Sequence, residues 1–78
     1  MIGKTLRYMR NQKKLSQKEM AKLINTTQNT LSRYETETTD INFDMIEKIA
    51  NNCGYKIYFE NKTNGDRFQS SELRRKDI

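Results

Sequence analysis

Gln28, Asn29 and Arg33 lie within two helical turns of one another, and they are amides and a guanidinium. Such groups form paired hydrogen bonds to base edges in the major groove, Asn or Gln to adenine N6 and N7 and Arg to guanine O6 and N7. On a helix, Asn29, Ser32 and Arg33 project from the side opposite Leu31 and Tyr34, so one face packs while the other stays polar. No acid interrupts that face. Thr30 and Ser32 add short hydroxyls that either base edge accepts, which makes them weaker base-reading candidates. A helical pair that packs and binds nothing needs no such set on one exposed face. This is recognition chemistry rather than bond-making chemistry. The chain has no histidine and one cysteine. It has no glycine-rich phosphate loop and no cluster with metal-ligand spacing, so enzyme, metal and cofactor readings are disfavoured.

The elements that must position this face are written in residues 16–35, SQKEMAKLINTTQNTLSRYE. Ser16 stands three residues before Glu19, and a reciprocal capping box between them starts a helix over about 17–24. Met20, Ala21 and Ile24 make its apolar stripe, and Ala21 is small where another helix can cross closely. Asn25 tolerates the left-handed conformation of a helix exit. Thr27 then caps a second helix over about 28–35. Two short helices joined by a tight turn read as a helix-turn-helix.

On these residues, 2–54 resemble the Cro and phage-repressor type of helix-turn-helix domain, the Xre-like family. In that family a Gln opens helix 2, a small residue sits at the Ala21 position, and polar side chains at the start of helix 3 read bases. The resemblance implies that Gln28 contacts bases and that Gln17 holds a DNA phosphate, with Thr27, Thr36 and Thr38 as further phosphate contacts and Thr39 in the same loop. It also implies a structural ion pair between Arg10 on helix 1 and Glu35 at the end of helix 3. Asn25 and Thr36 stand where many relatives carry Gly. The implied fold of these residues is a four-to-five-helix Cro/repressor-like domain, and the whole chain is expected to be mainly α, with a C-terminal β-strand or hairpin read from its own period and turn signals. The expected function is that of a homodimeric, sequence-specific repressor binding double-stranded DNA at an inverted repeat, and a cytoplasmic location is the default expectation for a chain with no apolar run long enough to span a membrane.

Composition agrees with a polyanionic partner: the net charge is +5 and the sequence pI about 9.5. A chain of 78 residues is one domain with a thin core, for which dimerisation is a natural supplement. No apolar run reaches the ~18 residues that would span a membrane, and no secretory leader is evident. Ile2, Leu6 and Met9 mark helix 1 over residues 2–14, and Leu15 is placed to staple onto Met20. Asn42 caps helix 4, whose buried stripe is expected to be Phe43, Ile46, Ile49, Ala50 and Cys53, ending at Gly54.

From Tyr55 the period becomes 2, and Tyr55, Ile57 and Phe59 alternate with polar neighbours through Glu60. Asn64-Gly65 is a two-residue hairpin signal that would pair Thr63 with Asp66 and Asn61 with Phe68. Residues 55–69 thus read as a strand or hairpin whose apolar residues, Tyr55, Ile57, Phe59 and Phe68, form a dimerisation face. The stretch INFDMIEKIANNCGYKIYFE resembles HipB-type antitoxins, whose strand after the fourth helix pairs with its mate, and so implies a toxin protein as an alternative partner. Residues 70–78 read as a tail, with Arg74, Arg75 and Lys76 near its end.

Overall fold

The computed structural model describes residues 1–74, with side chains to Glu72. The order is α1 (Ile2–Gln12), α2 (Gln17–Leu23), α3 (Gln28–Thr36), α4 (Phe43–Asn52), β1 (Tyr58–Glu60), β2 (Arg67–Gln69) and α5 (Ser70–Arg74). Each of the middle helices starts where a side chain satisfies an orphan amide. Ser16 Oγ accepts the Glu19 amide at 3.0 Å while Glu19 Oε1 accepts the Ser16 amide at 2.8 Å. Thr27 Oγ1 accepts from the Thr30 amide at 3.1 Å, and Asn42 Oδ1 from the Met45 amide at 2.8 Å. Positive-φ residues end the turns: Asn25 at φ 57 leaves α2, and Glu37 at φ 60 leaves α3.

Helix α1 stops at Gln12, two residues short of the expected Lys14. Lys14 takes φ 61, and the Leu15 amide reaches back to the Arg10 carbonyl at 3.1 Å. That reversal tucks Leu15 against the core, so packing overrides the continued helix.

The core is formed by Leu6, Met9, Met20, Ala21, Ile24, Leu31, Ile49, Ala50 and Cys53. Helix α3 sits at the centre, packed on α1 and α2. Phe43 departs from the expected stripe, for it is 42% exposed, and Ile46 is only half-buried. The ring of Phe43 leans instead toward Phe59, with centroids 5.9 Å apart. The buried position one turn later is Glu47, which accepts from Ser70 Oγ and ties α4 to the start of α5.

Gly3 marks where α1 crosses the end of α3. A Cβ there would lie 2.2 Å from the Glu35 carbonyl oxygen and 2.8 Å from its carbon. Because both obstacles are backbone, Gly3→Ala must push the helices apart, and chemical denaturation should show a loss of about 1–3 kcal/mol. Unchanged stability would mean that the crossing is loose.

The C-terminal hairpin forms, with a different register from the expected one. Tyr55, Lys56 and Ile57 precede the strand instead of belonging to it, and Phe59 lies opposite Phe68 and Glu60 opposite Arg67. The loop is longer than Asn64-Gly65 because Asn61 starts it: Asn61 Oδ1 accepts the Thr63 amide at 2.8 Å, and the Asn61 carbonyl accepts the Gly65 amide at 2.8 Å. The shift replaces a like-charge pairing of Lys62 with Arg67 by the opposite charges of Glu60 and Arg67. It also stacks Phe59 on Phe68, centroids 5.4 Å apart. Ser70 and Ser71, expected in a tail, open α5. Arg75 and Lys76 lie outside the described residues, as does the side chain of Arg74.

Candidate nucleic-acid interface

The exposed face of α3 presents Gln28, Asn29 and Arg33 to solvent, while Leu31 is buried beneath them. Gln17, Gln28, Asn29 and Ser32 line one polar cleft of about 400 Å³, so the first residue of α2 is brought beside the head of α3. Arg33 stands one turn past Asn29 on the same face. The result is a row of amides and a guanidinium across two elements, with no acid among the cleft-lining residues.

The hydroxyls expected near phosphates are engaged locally. Thr27 Oγ1 donates to Thr30 Oγ1 at 2.9 Å, and Thr30 is half-buried. Thr36 Oγ1 donates to the Ser32 carbonyl at 3.0 Å and can then accept from Thr38 Oγ1 at 3.2 Å, closing the last turn of α3. Thr36 and Thr38 are exposed at the far end of that helix, away from the cleft of Gln17.

Beneath this face lies the Glu35 carboxylate, whose side chain is 0% exposed. Arg10 Nε donates to Oε2 at 2.7 Å and Arg10 Nη2 to Oε1 at 3.0 Å, a bidentate pair between α1 and α3. Arg10 Nη1 also holds the Leu15 carbonyl at 2.8 Å. Gln17 Nε2 donates to Glu35 Oε1 at 3.1 Å, so the residue assigned to phosphate is anchored from below. Burial pushes the Glu35 carboxyl up, but hydrogen bonds from Arg10, Gln17 and Arg7 outweigh it and hold the group below the usual carboxylate range.

Two contributors were not singled out from the sequence. Arg7 Nε reaches Glu35 Oε1 at 3.4 Å, and Glu37 Oε2 accepts the Gly3 amide at 3.2 Å. For Arg7 a signal exists in its spacing of three from Arg10, which puts both guanidiniums on one side of α1. For Glu37 there is none, since only the left-handed turn after α3 aims its carboxylate at α1.

A capped helix pair, its turn, and an exposed second helix that carries base-reading side chains define a DNA-binding regulatory domain. The helix-turn-helix family model matches residues 6–59, and the chain belongs to that family. It is similar to the antitoxin PezA of Streptococcus pneumoniae serotype 4 (strain ATCC BAA-334 / TIGR4), 37% identical over 50 residues. The alignment covers 64% of this chain and about a third of that protein, 32%. No solved structure matches the chain. Among the described residues, no helix is long and apolar enough to cross a membrane.

Proposed function

We propose that the protein is a cytoplasmic, homodimeric, sequence-specific repressor that places α3 in the major groove of an inverted-repeat operator. The observation that carries this reading is the exposed row of Gln28, Asn29 and Arg33 above a buried Leu31. Gln17 fixes the register on the backbone, and the bound dimer excludes polymerase. Thr27, Thr36 and Thr38 are the further phosphate contacts in this reading, and Thr30 and Ser32 the secondary base readers.

Support for a dimer comes from the hairpin. The bonds from the Ser70 amide to the Ile57 carbonyl and from the Asn61 amide to the Asp66 carbonyl set the alternation of the ladder. By that alternation the backbone groups of Tyr58 and Glu60 face outward, on an edge with which no other described strand pairs. The outer edge of β2 is blunted, since its Gln69 amide donates to Glu72 Oε1 at 3.2 Å. Beside the open edge lies an apolar groove of about 540 Å³, lined by Ile2, Tyr8, Phe43, Ile46, Tyr55 and Phe59 among others. Antiparallel pairing of two copies about Tyr58 would set Ile57 against Phe59 and Lys56 against Glu60, an opposite-charge match on each side. Tyr55 and Phe68 flank that interface.

Selection of bound duplexes from a random pool should return an inverted repeat with half-sites about one turn, ~34 Å, apart. Gln28→Ala or Arg33→Ala should then cost about 1–3 kcal/mol on the selected duplex and less on a random one. No enrichment would sink sequence-specific binding, and equal losses on both duplexes would reduce these residues to phosphate holders.

A second reading is favoured by the similarity to an antitoxin: the chain neutralises a toxin protein and binds its operator as autoregulation. Co-purification of a stoichiometric protein partner from the native host, lost on disrupting the groove, would establish it.

A further inference from the structure

The Glu35 carboxylate gathers more donors than an ion pair needs. Its Oε1 accepts from Arg10 Nη2 at 3.0 Å, Gln17 Nε2 at 3.1 Å and Arg7 Nε at 3.4 Å. Arg10 is spent on this task, for its side chain is 12% exposed and its Nη1 is held by the Leu15 carbonyl. Arg7 is not. Its side chain is 52% exposed and it is joined to the carboxylate through Nε alone, which leaves the outer N–H groups of its fork turned to solvent. Gln17 likewise keeps a second Nε2 hydrogen beyond the one given to Glu35.

Besides Arg10, one buried oxygen therefore holds two donor groups from two elements, Arg7 of α1 and Gln17 of α2, beside the cleft where the base-reading face begins. Arg10 offsets the charge of Glu35, so Arg7 supplies the excess cation at this corner. A cationic fork and a neutral amide side by side suit a phosphodiester, which carries one negative charge on two non-bridging oxygens.

We propose that Arg7, which lies outside the helix-turn-helix, grips a DNA backbone phosphate together with Gln17, both aimed by the shared oxygen of Glu35. The clamp rests on the reading that the α3 face docks on duplex DNA. Glu35 itself is a positioning residue and touches no DNA. The competing role for Arg7 is that of a third strut of the ion pair, and the two differ in their response to salt. A strut changes stability; a phosphate contact changes the number of counterions released on binding.

The test uses the full chain, the selected duplex and a random duplex, titrated by fluorescence anisotropy across a salt series. Arg7→Met keeps the apolar stem and removes the fork. It should leave the melting temperature near wild type and weaken binding roughly tenfold on both duplexes. The slope of log affinity against log salt should fall by about 0.9. Gln17→Ala should also weaken both complexes, with less change in slope because the amide is uncharged. The double variant should lose less than the product of the single losses, since one phosphate can be released only once. An unchanged slope in Arg7→Met, or losses that simply multiply, would overturn the clamp. If Arg7→Met melts well below wild type, Arg7→Lys decides. It keeps the charge and loses the Nε bond, so the clamp requires a preserved slope with weakened affinity, whereas wild-type affinity would leave only a strut. A wild-type chain that binds neither duplex would instead fail the DNA-binding reading, an outcome distinct from failure of the clamp alone.

Discussion

Glu35→Ala is expected to lower stability by about 3–5 kcal/mol, because it strands the Arg10 guanidinium in a site built to neutralise it. A chain of this length holds roughly 4–12 kcal/mol in all, so the variant should lose about a quarter or more of its total stability. Arg10→Met should be comparably damaging, since the carboxylate it leaves is 0% exposed and keeps only Gln17 and Arg7 as donors. Combining Glu35→Ala with Arg10→Met should cost less than the sum of the two single changes, as no buried charge is then left alone. Urea denaturation of the four proteins closes the cycle, and additive losses would show that the pair is not coupled.

Acid should reveal the same carboxylate. The folded state holds Glu35 below the usual range, so the unfolded chain binds its proton first as pH falls. The stability it contributes is complete above the unfolded value of about 4.3 and is lost as pH drops through the lower folded value. Glu35→Gln should therefore be less stable at pH 7 yet show a smaller further loss toward pH 3 than wild type. Glu19 and Glu37 are also held low, by Ser16 and by the contacts of Glu37 near the start of α1. They remain in the variant, and the difference between the two proteins isolates Glu35.

What the sequence makes legible is the chemistry of local signals. Ser16 with Glu19, Thr27 and Asn42 each sit next to the amide they satisfy, so caps and helix starts can be read from spacing alone. The buried stripe of α2 follows from its period for the same reason. The hairpin register was harder, because two local signals competed. Asn64-Gly65 favours a two-residue turn, while Asn61 can nucleate an earlier one, and the outcome was decided by cross-strand partners: Phe59 on Phe68 and Glu60 by Arg67. Phe43 obeys the helical period of α4 yet points to the hairpin, since a thin core leaves that end of the helix uncovered. Gly3 is illegible, and Arg7 is legible only as a guanidinium on the same side of α1 as Arg10, for a different reason. Each acts through a residue of α3 far along the chain, Gly3 through the Glu35 backbone and Arg7 through its side chain. Spacing within α1 cannot report a crossing with another helix.

Phe59→Asp should have the largest effect on DNA binding without touching the reading face. Phe59 is 46% exposed between Phe43 and Phe68, an arrangement that uses aromatic area inefficiently in a single copy. Pairing the open edge of β1 with a second copy would bury that area and satisfy the outward amides of Tyr58 and Glu60 together. A carboxylate at position 59 would face the apolar Ile57 of the second copy and lose water with no partner to offset its charge, so the dimer should dissociate. Ile57→Asp acts on the neighbouring position, but Ile57 is half-buried and packs against the core, so it risks the fold as well. Phe59→Asp is the cleaner variant. Helical content by circular dichroism should be retained, because α1 to α4 do not rest on the Phe59 ring for their core. Sedimentation should show monomers, and specific affinity should fall roughly 10²- to 10⁴-fold as the second half-site ceases to bind at high effective concentration. Lys56→Glu and Glu60→Lys should each weaken the dimer, and the two together should restore it by exchanging the charges across the pair. A Phe59→Asp protein that remains dimeric and binds the selected duplex normally would place the dimer elsewhere and leave the hairpin to close within its own chain.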